Sequence, residues 1–555
     1  MKRIFTYMVA GMSLFATSSC SDFLDTAPYD ALSPATTWKT EDDAAKFLIG
    51  CYDGWIDYGG ILYWDCGSDF GYNNFPWEGY NKVGNGLMAA ADPGVDMYSF
   101  GKIRSCNDFL ANIENVTFAD DAKKKDMVAQ VKVIRAYQYF QMNWNYGGVP
   151  IIESWNSSEE AMVSRSTEEE VNNFIEKELD EAIPMFLNDK TDTRGSIDRA
   201  TALALKMRHA LYYGEYERAK KAASDIMAMD KYSLDPDFLH MFSLAGKDSE
   251  EIIMSDQRIE NLYENWLLQV LYNNADGGWS SIVPTKQLVD AFEMDNGLTK
   301  EEAGDYYDPA HPFAHRDPRM AMTVVFPGMD WVKLDGSVEV LNTLEHYLED
   351  TNGDGKLGEG DDENPNHPLT AGNASQTGLT WGKYTIPMTQ YGSDLYNSSM
   401  CVILFRYAEV LLSYAEAENE LNGPSRDVYT QLNLVRNRVG MPNVDEEKYN
   451  TKEKLRELIR RERSIELAGE GFRRADILRW KDSEGKMLAE TVLNGDLVRF
   501  TGIVNYDEED PYMRAVISDE TELIESRQFR TYNRYLPIPQ KALDLNKNLE
   551  QNDGY

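Results

Sequence analysis

Histidine is scarce, with six in 555 residues, and no two of them fall at HExxH or another zinc-pair spacing. The chain also lacks a GxSxG elbow, a P-loop and a dinucleotide fingerprint, so catalysis has no signature in it. Bases are few: 55 Lys and Arg stand against 93 Asp and Glu, a formal charge of −38. A field of that sign repels polyanions and argues against nucleic acid as a partner. A neutral ligand suits it better than a heavily sulfated or uronic one. No apolar run is long enough to span a bilayer. Only five cysteines occur, without a metal spacing, and the pairing of Cys51, Cys66, Cys106 and Cys401 cannot be deduced from their order.

What is present begins with the leader "MKRIFTYMVAGMSLFATSSC". Lys2 and Arg3 precede a mostly apolar stretch, and small residues Thr17, Ser18 and Ser19 precede Cys20, which is how a secretory signal is built. Cleavage before Cys20 would make that residue the acylated anchor of a bacterial lipoprotein, with Thr17 where a lipobox usually carries leucine; the alternative is an ordinary secreted protein with an incidental cysteine. The expected organisation is a signal peptide over 1–19, a lipid tether over 20–40 and one domain over 41–555. That domain divides into an N-terminal part to residue 270 and a loop-rich C-terminal part from 271.

Helical periodicity dominates the domain. "DAAKFLIGCYDGW", "KKKDMVAQVKVIRAYQYFQMNWNYG", "EEEVNNFIEKELDEAIPMF" and "RATALALKMRHALYYGEYERAKKAASDIMAMDKY" all space apolar residues three or four apart. The last predicts a helix ending near Tyr213, a tight turn and a second helix from near Glu217, a unit of tetratricopeptide type. Small Ala202, Ala210, Ala219 and Ala223 permit close packing, and such a unit needs stacked neighbours to bury its apolar faces. Residues 276–374, rich in Gly, Pro, Asp and Asn, read as long loops. The fold class expected is mainly α, a tetratricopeptide-like helical array with long irregular loops and minor β-hairpins.

Towards the C-terminus, "FRYAEVLLSYAEAENELNG", "LNLVRNRVGMP", "LIRRERSIELAGEGFRRADILRW" and "YLPIPQKALDLNKNLEQNDGY" follow one another, after "CSDFLDTAP", "TTWKTEDDAAKFLIGCYDGW", "VIRAYQYFQMNWNYGGVPII" and "PTKQLVDAFEMDNG" upstream. In these motifs the chain resembles the SusD/RagB family of outer-membrane lipoproteins over nearly all of its mature length. The resemblance implies helices on one side and ligand-binding loops on the other. It also implies a cell-surface protein that binds nutrients, usually oligosaccharides and sometimes peptides, as a lid on a SusC-like TonB-dependent transporter, and that is not an enzyme. The charged residues of the motifs, Arg406, Glu409, Glu416, Glu466, Arg473, Asp476 and Arg479, are expected to register helices through ion pairs.

Sugars offer flat C–H faces and a rim of hydroxyls, so their capture needs exposed aromatic planes and planar polar groups. Residues 58–86, "YGGILYWDCGSDFGYNNFPWEGYNKVGNG", supply both. Trp77 and Tyr80 are the preferred platform, with Asp69, Asn73 and Asn74 as polar partners; for Trp64, burial is expected. Trp279, behind Gly277 and Gly278, is a second candidate, and Trp331 and Trp381 are further ones. The bland alternative for each ring is packing of its loop against the helices.

"DTNGDGKLGEGD" places Asp350, Asn352 and Asp354 at alternate positions, Gly355 at the sixth, the Lys356 carbonyl at the seventh and Asp361 at the twelfth, the spacing of an EF-hand-type calcium loop. Asp replaces the usual Glu at the end, which is closer to dockerin-like loops. "VLNTLEHYLE" is the expected entering helix, and calcium would stiffen the loop region. Three readings compete with glycan capture: an acidic helical glycoside hydrolase, whose paired carboxylates cannot be singled out among so many acids; a surface peptide binder; and a scaffold for envelope proteins.

Overall fold

The computed structural model describes residues 37–154, 157 and 159–555. The expected signal peptide, Cys20 and most of the tether lie outside them. Ten helices of seven residues or more carry the architecture among the described residues: α1 Glu41–Tyr52, α2 Gly101–Asn112, α3 Asp121–Tyr146, α4 Glu168–Ala182, α5 Arg199–Tyr212, α6 Tyr216–Ala228, α7 Tyr407–Asn422, α8 Arg426–Arg438, α9 Lys452–Glu466 and α10 Arg473–Arg479. Their ends follow local chemistry. Thr40 and Asp43 form a capping box at α1, as Thr167 and Glu170 do at α4, so that orphan backbone donors are satisfied reciprocally. Gly147 closes α3 in the left-handed conformation, where a side chain would cost energy.

The helices stack as the periodicity predicts. α3 packs on α4, α5 on α6, α6 on α7, and α7 on both α8 and α9. The predicted hairpin is there: α5 ends at Tyr212, Gly214 turns at φ +76°, and α6 begins at Tyr216. Ala210 and Ala219 meet Leu211 and Ala417 in a small buried cluster, so it is the missing side-chain bulk that brings α5, α6 and α7 close.

Between α6 and α7 the chain builds a second apolar core from loops, short helices and strands. Among the described residues, twelve strands make six two-stranded antiparallel pairs: β1 Gly71–Asn73 with β3 Ile282–Pro284, β2 Ile252–Asp256 with β10 Val402–Arg406, β4 Val324–Val325 with β9 Thr380–Trp381, β5 Asp330–Val332 with β6 Val338–Val340, β7 Tyr347–Glu349 with β8 Asp362–Glu363, and β11 Gly495–Val504 with β12 Ala515–Arg527. The mainly α class with minor hairpins is the observed one.

One local expectation is corrected. "VLNTLEHYLE" is not a helix; it ends in β7, and loop 350–361 closes a β-hairpin with β8. The Asn342 carboxamide oxygen accepts the N–H groups of Leu344 and Glu345, a local bond that competes with helical hydrogen bonding.

The motif charges are structural, as expected. Arg406, fully buried, donates to Glu251, Glu466 and Glu470 at 2.7 Å, while Arg319 donates to Asp317, Glu462 and Glu466. Burial opposes ionisation of Glu466, yet Arg438, Arg406 and Arg319 together hold it well below the usual carboxylate range. Arg208 grips Glu409, Arg479 spans Glu416 and Asp476, and Arg463 meets Asp476 again. These pairs fix α7, α9 and α10 against one another and against the loop core.

Candidate functional site

The aromatic segment and the Trp279 segment are about two hundred residues apart in sequence and neighbours in space. β1 pairs with β3 so that Asn73 faces Ile282, and beyond the ladder the Asn74 N–H donates to the Ser281 carbonyl at 2.8 Å. Residues 76–78 then form a single 3-10 turn. Gly79 leaves it at φ +91°, and any Cβ there would fall 2.0 Å from the Gly94 carbonyl oxygen. This turn pushes Trp77 outward: it is 78% exposed and lies parallel to Phe75, with centroids 4.7 Å apart.

Trp279 is half-buried, its N–H bonded to the Gln269 carbonyl at 2.7 Å. Its ring stands edge-on to Tyr396 at 5.8 Å, and Tyr396 is itself exposed. A third group escaped the sequence reading. Ile259, Leu262, Tyr263 and Trp266 are exposed on a turn closed by the Ile259–Tyr263 bridge. Arg258 is sandwiched there between Tyr58 and Tyr263, 3.7 and 4.1 Å from the ring centroids. Asn261 and Asn397 bond each other, which ties this turn to the Tyr396 segment. The only sequence signal was "YENW", short and without glycines.

Several expected ligand residues have other work. Tyr80 is packed between Tyr63 and Trp64, at 5.0 and 5.4 Å, and burial pushes its hydroxyl well above the ordinary phenol value. Asp69 is held bidentately by Arg473 at 2.7 and 2.8 Å. Asn73 is fully buried, donating to Glu78 at 2.5 Å and to the Ser281 carbonyl at 2.9 Å. Trp331 and Trp381 are core residues, 3% exposed; the Trp331 indole N–H donates to Asp276. These five are therefore corrected from ligand candidates to structural residues, because each meets a partner that lies far away in sequence or that the loop's own folding supplies. Asn74 donates to the Ala374 carbonyl at 3.1 Å, and its buried side-chain oxygen has no protein partner. Trp64 is partly buried against the helical core, as expected.

Electrostatics beneath this face are tuned by burial. Glu78 is raised by desolvation, although hydrogen bonds from Asn73, Ser281 and Tyr63 oppose the rise. Asp276, next to Trp279's loop, is pushed up to about 6 by burial, against the pull of Lys333 and the Trp331 N–H. The cavity under Trp64, lined also by Tyr137, Trp144 and Arg208, holds about 80 Å³, room for a few waters and not for a sugar chain. The accessible aromatic groups lie on the surface.

In loop 350–361 the carboxylates are occupied locally. Asp350 accepts the N–H groups of Gly353 and Gly355, Asn352 that of Asp354, Asp354 that of Lys356, and Asp361 those of Thr351, Asn352 and Gly358. Among the described residues, no group of three or more His, Cys, Asp or Glu is arranged to hold a metal ion.

Comparison with known proteins agrees with this architecture. A family model described as the SusD family matches residues 238–555, and one described as starch-binding associating with outer membrane matches residues 22–208. SusD-like protein P25 of Formosa agariphila is 24% identical, over 84% of this chain and 88% of its own. The crystal structure of a SusD-like carbohydrate binding protein from Bacteroides fragilis superposes with a TM-score of 0.79 at 26% identity, covering 93% of this chain and all of that one. Surface glycan-binding protein A from Bacteroides thetaiotaomicron, in complex with laminarihexaose, shares the fold at 20% identity, with a TM-score of 0.64 and coverage of 92% and 99%.

Proposed function

This chain belongs to the SusD family, and from that premise we propose that it is a cell-surface binding protein that captures neutral oligosaccharides and hands them to a partner TonB-dependent transporter. The observation that carries the ligand side is the exposed Trp77, backed by Phe75 and carried on a segment hydrogen-bonded to that of Trp279, whose ring meets Tyr396. Stacked and edge-on rings give sugars flat apolar faces, and the acidic exterior disfavours polyanionic glycans. Related proteins support the class: one of similar fold is described as a laminarin binding SusD-like protein.

The same proposal makes Cys20 the lipid anchor on the outer membrane and leaves the protein without catalysis. Calcium in loop 350–361 would be structural, with Asp350, Asn352, Asp354, Asp361 and the Lys356 carbonyl as ligands, turned from their present N–H partners. Calorimetry with a panel of neutral oligosaccharides, laminarihexaose included, tests the reading when paired with product analysis. Saturable binding with intact ligand is expected, whereas shortened products would favour a hydrolase and binding of peptides alone would move the ligand class.

A further inference from the structure

The cysteines that sequence order leaves unpaired are sorted by the fold. Cys51 lies in the last turn of α1 and Cys106 within α2, and these two helices pack on each other. Both side chains are sealed, 1% and 0% exposed. Both are thiols, and the Cys51 Sγ donates to the carbonyl of Ser105, the neighbour of Cys106, at 3.6 Å, which sets the two sulfurs within electrostatic reach of one another. Neither remaining cysteine competes: Cys66 is built into the other apolar core, and Cys401 lies 3.8 Å from the Gln257 carboxamide.

We propose that Cys51 and Cys106 form a disulfide in the exported protein, stapling α1 to α2 and closing the chain loop that carries Trp77. The proposal rests on the exported location given above, since bridges persist in oxidising compartments and thiols in reducing ones.

The chemistry is a thiol–disulfide exchange with a small or protein disulfide as oxidant. One cysteine thiolate attacks one sulfur of the oxidant and expels the first thiolate. The other cysteine's thiolate then attacks the first cysteine in the mixed disulfide and expels the second. Two electrons pass from the cysteine sulfurs to the oxidant, and the two protons that the cysteines give up end on its thiols. Burial of both sulfurs puts the exchange before α1 closes on α2 and shields the finished bond from reductants.

The test is to reduce and unfold the mature chain, refold it in a glutathione redox buffer, alkylate it under denaturing, non-reducing conditions and map its peptides. One cross-linked peptide pair joining Cys51 to Cys106 is expected, with Cys66 and Cys401 alkylated, and reductant should lower the melting midpoint of wild type but not of Cys51→Ser. Four alkylated cysteines, or Cys106 joined to Cys66 or Cys401, overturn the pairing. Refolding does not depend on where the cell places the protein, so surface labelling of intact cells judges the exported location separately.

Discussion

The indole of Trp77 lies 20° from parallel to the ring of Phe75, at 4.7 Å, with its outer face open to water. Phe75 thus fixes the plane of a ring that makes little other contact. Trp77→Ala should therefore weaken oligosaccharide binding by about 1 kcal/mol or more, roughly fivefold, with stability changed by less than about 0.5 kcal/mol, as for other exposed sites. Calorimetry and a denaturant melt on one preparation decide it; unchanged affinity would remove Trp77 from the site.

Asp69 should behave in the opposite way. Its bidentate pair with Arg473 is largely buried, and leaving one buried charge unpaired costs about 3–5 kcal/mol. Asp69→Ala is expected to lower stability by that order while the remaining folded protein binds glycan normally. A selective loss of affinity in a fully stable variant would return Asp69 to the ligand site.

If calcium occupies loop 350–361, a chelator should lower the melting temperature, because a ligand bound only to the folded state stabilises it by mass action. Asp361→Asn should shrink that difference. Identical melts with and without chelator would leave the loop as the self-bonded turn seen here.

Acid should destabilise the fold through His367. Burial, then Arg499 and His346, lower it to about 4, against roughly 6.5 in an unfolded chain. Above the higher value neither state binds the proton. Between the two the unfolded chain takes it and the native state refuses, so stability falls as pH drops from about 6.5 towards 4. Asp65, raised by burial to about 7, acts in the other direction, losing stability as pH climbs from about 4 to 7. The difference between wild type and His367→Asn, measured by urea denaturation across that range, isolates the histidine. A pH-independent difference would refute the assignment.

How far the sequence could be read depended on how local each cause was. The α5–α6 hairpin was legible because its heptad-like apolar spacing, alanines and Gly214 all lie within one short stretch. The motif charges were legible as ion pairs because so many Arg and Glu at helical spacing have little else to do in a helix core. Tyr80 and Trp77, three residues apart in the same glycine-rich stretch, were not separable. Tyr63 and Trp64 cover Tyr80, whereas the 3-10 turn ending at Gly79 turns Trp77 outward.

Composition and periodicity alone determined an acidic, mainly helical protein with stacked hairpins and loops rich in aromatic rings, because charge, helix spacing and turn chemistry act over a few residues. Tertiary structure alone decided which rings face water and which thiols meet. Ser281, Arg473 and Ser105 must first arrive from distant parts of the chain before Asn73, Asp69 and Cys51 have partners, and no local rule carries that information.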